Sequence, residues 1–234
     1  MAAVARLLVA LLVVFLVCAK ATSYPGPSDD HHDLARYSRI FGFGNSFTDT
    51  GNADIFPPTA GGIDTRPPYG ETFFGHPSGR ASDGRLLIDF LVEELKVPQP
   101  LPYLAGKTAA DFVLGVNFAL SGATALEPES LRSMGLMSFV PFSLVNETKW
   151  FEHVVQLLNN SSAPEQRKIT ATSFFFVGEM GINDYYASLL SNRTVDQTKS
   201  LVPHVVGVIR SAITVLTAPL LSELYLGGVR RMGV

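Results

Sequence analysis

Residues 173–177 read Ser-Phe-Phe-Phe-Val, and no other stretch restricts the fold so tightly. A run that is apolar after its first residue, with neither helical nor alternating periodicity, fits a strand covered on both faces, as in a parallel sheet. Arg39–Phe43 reads as a first buried strand and Val113–Leu120 as a second strand and turn. Helical patterns fall between them. Arg85–Lys96 carries Leu87, Phe90, Leu91, Glu94 and Leu95 on one stripe, and Asn146–Leu158 carries Trp150, Val154, Leu157 and Leu158. A longer helical pattern spans Val195–Leu216, with a kink expected at Pro203, an interruption at Pro219 and an end at Gly227-Gly228. Val229–Val234 then reads as the start of another strand. Strands alternating with helices predict one α/β domain with a parallel sheet.

Composition narrows the function classes. The 234 residues are 47% hydrophobic with a net charge of -3, which argues for a sizeable core and against disorder. Scattered basic residues give no electrostatic footprint for nucleic acid. Arg6, the apolar run Leu7–Cys18 and the small residues of Ala19-Lys20-Ala21 have the layout of a cleaved secretory signal peptide over residues 1–21. The run is too short for the ~20 residues that span a bilayer, so no stable membrane anchor is expected after cleavage. Cys18 lies inside it, leaving the mature chain without a thiol or a disulfide. Residues 22–38 read as a flexible lead-in and 39–234 as the folded domain. Sequons at Asn146, Asn159, Asn160 and Asn192 fit a secreted glycoprotein. The Pro- and Gly-rich residues 57–83 form a long irregular loop, of a length that in compact domains tends to be functional.

Three short stretches carry the chemistry. Gly44-Asn45-Ser46 follows the first strand, Asn117–Thr124 the second, and Gly181-Ile182-Asn183-Asp184 the Phe-rich one. Residues just past the carboxyl ends of parallel strands converge on one crevice, so Ser46, Gly122 and Asn183 are expected to meet there. Their types suit acyl transfer: a hydroxyl nucleophile, a glycine whose backbone N–H approaches substrate without a side chain, and a carboxamide N–H for the developing oxyanion. Each alone has a plainer reading, as a turn serine, a tight-turn glycine and a helix N-cap.

These stretches resemble the blocks of the plant GDSL (SGNH) lipase/esterase family. Gly44-Asn45-Ser46 with Asp49-Thr50-Gly51-Asn52 is similar to its first block, Asn117–Thr124 to its second and Gly178–Tyr185 to its third. Arg66–Phe74 and Pro77–Arg85 also resemble its plant members. The resemblance implies a flavodoxin-like three-layer α/β/α sandwich, Ser46 as nucleophile, and an oxyanion hole made by the N–H groups of Ser46 and Gly122 and the side chain of Asn183. It implies small-molecule or lipid esters as substrates, no metal or organic cofactor, and secretion to the apoplast or cell wall.

The chain departs from the family pattern twice. Asn45 stands where the family has aspartate; the amide is nearly isosteric and keeps local hydrogen bonds to the turn. The Asp-x-x-His that supplies the family's base is absent through Val234, so the sandwich is expected to be incomplete at that end. Asp29 and His32 match the spacing but precede the nucleophile in the lead-in, beside His31. His153 and His204 fall in helical patterns, and His76 lies in the long loop as the least implausible substitute base. Two readings follow: an ester hydrolase whose sequence here is a fragment, or a truncated paralogue that binds esters without turning them over.

Overall fold

A computed structural model of the chain describes residues 37–158 and 172–231. The expected leader, Asp29, His31, His32, the sequons at Asn159 and Asn160, and positions 232–234 lie outside the described residues. The chain runs β1 (Arg39–Phe43), α1 (Asn52–Ile55), α2 (Leu87–Leu95), β2 (Leu101–Pro102), α3 (Ala109–Phe112), β3 (Val116–Asn117), α4 (Pro128–Ser133), α5 (Leu144–Leu158), β4 (Ser173–Val177), α6 (Ile182–Leu190), α7 (Val195–Lys199) and α8 (Val202–Arg231). The strands form one parallel sheet in the order β2-β3-β1-β4, with Phe41 opposite Val116 on one side and Phe175 on the other.

Alternation along β1 sorts the core into two layers. Phe41 and Phe43 pack with Phe118, Phe151 and Val154 and with Val205 and Leu216 of α8. Ile40 points to the opposite face, where Ile88 and Leu95 of α2 and the flanking Leu86 and Val97 cover it. Helices therefore lie on both faces of the sheet, the α/β/α arrangement expected.

Several elements differ from the sequence reading. The second strand is only Val116–Asn117, because Val113 and Leu114 are exposed in the turn that precedes it. A two-residue strand, Leu101–Pro102, lies outside β3 where no strand was expected. On α2 the buried face is Ile88, Asp89 and Leu95, while Leu87 and Phe90 are exposed. The phase shifts because a charged group is on the inner side. Asp89 takes a bidentate ion pair from Arg80 at 2.7 and 2.9 Å and further bonds from Leu86 N and Gln99 Nε2. That pair also ties the 57–83 loop to α2. Phe90 lies under the Arg85 guanidinium, 4.0 Å from its ring centroid.

β4 is an edge strand among the described residues, so Phe174–Val177 are half-buried although both of their faces pack. Ser38, assigned to the lead-in, already belongs to the domain through its N–H to Thr172 O at 2.8 Å. The chain breaks at Ser200-Leu201, ahead of Pro203, and α8 then continues through Pro219 and Gly227-Gly228 to Arg231, so helix occupies part of the expected strand at 229–234. Pro203 is tolerated in the first turn, where its missing N–H has no intrahelical partner to lose. Val195–Thr217 is long and apolar enough to cross a bilayer by length and composition alone; in this fold Val205, Ala212 and Leu216 are in the core.

Candidate active site

Gly44 leaves β1 at φ 144, a backbone conformation that side chains disfavour, and turns the chain into Asn45-Ser46. The turn closes on Asn45 O, which accepts from Thr48 N and Asp49 N at 2.9 Å each. Ser46 sits half-buried at its crest, and its hydroxyl makes no hydrogen bond among the described residues.

Five long-range bonds tie this turn and the other two loops together. Asp49 Oδ2 accepts from Ser121 N at 2.8 Å, one residue before Gly122. Asn183 Nδ2 donates to Ala123 O at 2.8 Å, one residue after Gly122. Asn45 Nδ2 donates to Glu179 Oε2 at 2.6 Å, four residues before Asn183. Asn117 Nδ2 donates to Thr48 O and Thr50 Oγ1 at 2.7 and 2.9 Å. The three stretches singled out in the sequence are thus neighbours at the carboxyl ends of β1, β3 and β4.

Gly122 has φ 87 and packs against residues 139 and 140; a Cβ there would stand 3.2 Å from Val140 Cγ1 and 3.3 Å from Phe139 Cβ. Positive φ and this close approach are a further reason for glycine here, beside the open backbone access for substrate expected from sequence. Asn183 is the second residue of α6, not its N-cap; Gly181 holds that position without a side-chain cap. One carboxamide N–H goes to Ala123 O, and the amide carries a second. The neighbouring Asp184 is buried and binds Ala125 N and Leu126 N at 2.8 and 2.9 Å, and burial pushes its carboxyl up to about 6.

Two carboxylates near the turn were not assigned roles from sequence. Asp49, 1% exposed, accepts four backbone N–H groups: Gly51 and Asn52 on Oδ1, Ala53 and Ser121 on Oδ2. Burial pushes it up to about 6 against those four donors, which pull it down. Glu147 of α5 is fully buried and accepts Gly44 N at 2.9 Å; burial raises its carboxyl well above the usual range. Only Asp49 carried a signal, its place in the first block. Glu147 carried none beyond being the middle residue of the Asn146 sequon.

Asn45 matches its surroundings. Its Oδ1 accepts from Phe47 N at 3.1 Å, the bond an aspartate would also make, but its Nδ2 faces the Glu179 carboxylate. Asn45→Asp would set two carboxylates 2.6 Å apart, one of which must keep a proton. A pair with raised proton affinity contributes stability below its unfolded pKa and loses it as pH rises through the folded value. The variant is expected to melt near the wild type at about pH 4 and to be destabilised by roughly 2 kcal/mol at about pH 8; a thermal melt series checks this.

The described histidines lie elsewhere. His76 Nδ1 is 2.8 Å from Pro77 O, and His153 Nδ1 is 3.0 Å from the Tyr103 hydroxyl on the outside of α5. His204 is exposed on α8. None is hydrogen-bonded to Ser46. No group of three or more potential metal ligands occurs among the described residues.

The family described as GDSL-like lipase/acylhydrolase matches residues 40–233. A GDSL esterase/lipase of Arabidopsis thaliana is 43% identical over 182 residues, covering 77% of this chain and 46% of the relative. A sinapine esterase of Brassica napus is 39% identical over 184 residues, covering 76% of this chain and 46% of the relative. Another Arabidopsis GDSL esterase/lipase is 34% identical over 222 residues, 92% of this chain and 53% of its own. The chain spans about half the length of these relatives.

Proposed function

Because the chain belongs to the GDSL-like lipase/acylhydrolase family, we propose that it serves a secreted ester hydrolase in which Ser46 attacks the acyl carbonyl. The N–H groups of Ser46 and Gly122 and the second N–H of Asn183 receive the oxyanion. The observation that carries this reading is the junction of the three loops by Ser121–Asp49, Asn183–Ala123 and Asn45–Glu179 bonds, with the Ser46 hydroxyl uncommitted at their meeting point. Oxyanion donors in such sites are worth roughly 2.7–4 kcal/mol each. Small acyl or acetyl esters and lipid esters are the substrate class.

A second reading is favoured by the histidines. Since none of those described is bonded to Ser46, the chain would bind esters without turning them over. Purified chain incubated with p-nitrophenyl acetate and a fluorophosphonate probe decides between the two. Turnover and labelling at Ser46 support the hydrolase; ester binding with neither supports the binding protein.

Secretion carries its own expectation. Asn192 is exposed in the turn after α6, at φ 57, and Asn146 lies within α5, its Oδ1 holding Ser143 N and Oγ at 3.0 Å each. In protein from a plant secretory host, Asn192→Gln is expected to remove one glycan by mass spectrometry and Asn146→Gln none. A glycan at Asn146 alone would contradict this.

A further inference from the structure

Glu147 is the most deeply buried ionisable group beside the candidate nucleophile, and the acyl-transfer reading gives it no role. Its side chain projects from α5 to the point where β1 becomes the Ser46 turn. Oε2 accepts Gly44 N at 2.9 Å, and Oε1 is buried without a hydrogen-bond partner among the described residues. Thr48 Oγ1, also buried and unpartnered, lies on another side of the same glycine, 2.8 Å from where a Gly44 Cβ would stand. Gly44 is therefore held on two sides: α5 takes its N–H through Glu147, and its carbonyl accepts from Leu120 N at 3.2 Å. Two residues on stands Ser46.

We infer that Glu147 is a positioning residue that anchors the Ser46 turn to α5 through Gly44 and releases it when its carboxyl ionises.

The surroundings decide the direction of the effect. From the turn itself Asp49 faces Glu147, and its negative charge opposes a second one. On α3, Asp111 is engaged at the surface by Lys107 N and Thr108 N. On α6, Asp184 is committed to the Ala125 and Leu126 amides. On α8, His204 and Arg210 border a groove shared with Val145 and Thr148, on the outer side of α5. No cation is paired with the Glu147 carboxyl among the described residues. An ionised Glu147 would be a buried, unpaired anion next to another acid, a state relieved by opening the turn to water. The neutral acid still accepts from Gly44 N, so the anchor holds while the proton stays. Its folded pKa lies above the unfolded one, so its stabilising contribution is complete below the unfolded value and is lost as pH rises through the folded value.

Glu147→Gln separates the anchor from the proton, since a carboxamide oxygen accepts from Gly44 N at every pH. Amide exchange at Gly44 to Phe47, corrected for base catalysis, is the readout, with melting temperature alongside. In the wild type, protection is expected to fall by up to tenfold per pH unit as pH rises from the ordinary carboxylate range toward the raised folded value, while Glu147→Gln stays level and its Tm advantage widens. Parallel profiles in the two proteins overturn the inference. Should the variant not fold, the wild type alone decides: pH-independent protection at Gly44 overturns it. The catalytic relevance rests on Ser46 being the nucleophile, but the exchange measurement does not. An unreactive Ser46 with a pH-labile turn would sink that reading and leave this one standing.

Discussion

Ser46→Ala is expected to abolish fluorophosphonate labelling and, where the serine works with its base, to lower ester turnover by about 10⁶-fold. The substitution is clean for a structural reason. The Ser46 hydroxyl has no hydrogen-bond partner among the described residues and the side chain is half-exposed, so alanine leaves no orphaned polar group. Melting should move by no more than about 0.5 kcal/mol. Loss of reactivity without loss of fold isolates the chemistry. Asn45, next along the turn, could not serve as such a probe, because its amide bonds both Phe47 N and Glu179. Labelling that survives in a folded Ser46→Ala protein would remove Ser46 from the mechanism.

The second large effect concerns stability. Asp49→Ala strips acceptors from Gly51, Asn52, Ala53 and Ser121 N–H at once. Each orphaned buried donor costs about 1–3 kcal/mol, less where water can enter, so a loss of about 4 kcal/mol or more is expected from a total stability of roughly 5–15. Asp49→Asn tests the geometry more finely. Its oxygen can replace Oδ1 for Gly51 and Asn52, while its NH₂ would face the N–H groups of Ala53 and Ser121. An intermediate loss is expected, and chemical denaturation measures both. An Asn variant as stable as the wild type would show that Oδ2 is not the link between the first and second loops.

What the sequence made legible, and what it hid, follows from the kind of force involved. β1 and β4 were readable because burial of short apolar runs is a local signal. β2 was not, since Leu101–Pro102 sits among prolines and takes its strand character only from pairing with β3. The inner face of α2 was misphased because Asp89 is neutralised by Arg80 from another segment, which periodicity cannot register. The candidate site was legible only as residue types ordered along the chain, and the three stretches that carry them were expected to be neighbours in space. Glu147 was invisible. Nothing local distinguishes a buried acid from a surface one, and its partner is 103 residues away. The Glu179 that suits Asn45 is 134 residues away.

Those separations bear on how the site comes into being. The bonds that hold the Ser46 turn and its neighbours span 60 to 134 residues: Asn183–Ala123, Ser121–Asp49, Gly44–Glu147 and Asn45–Glu179. Closing such loops carries an entropic cost that only completed strand pairing and core packing offset. A synthetic peptide of residues 41–52, or a nascent chain not yet through α6, therefore carries the serine without its geometry. On the proposed reading of Ser46 as nucleophile, reactivity would arrive late and all together, and an unfinished chain would be inert toward esters.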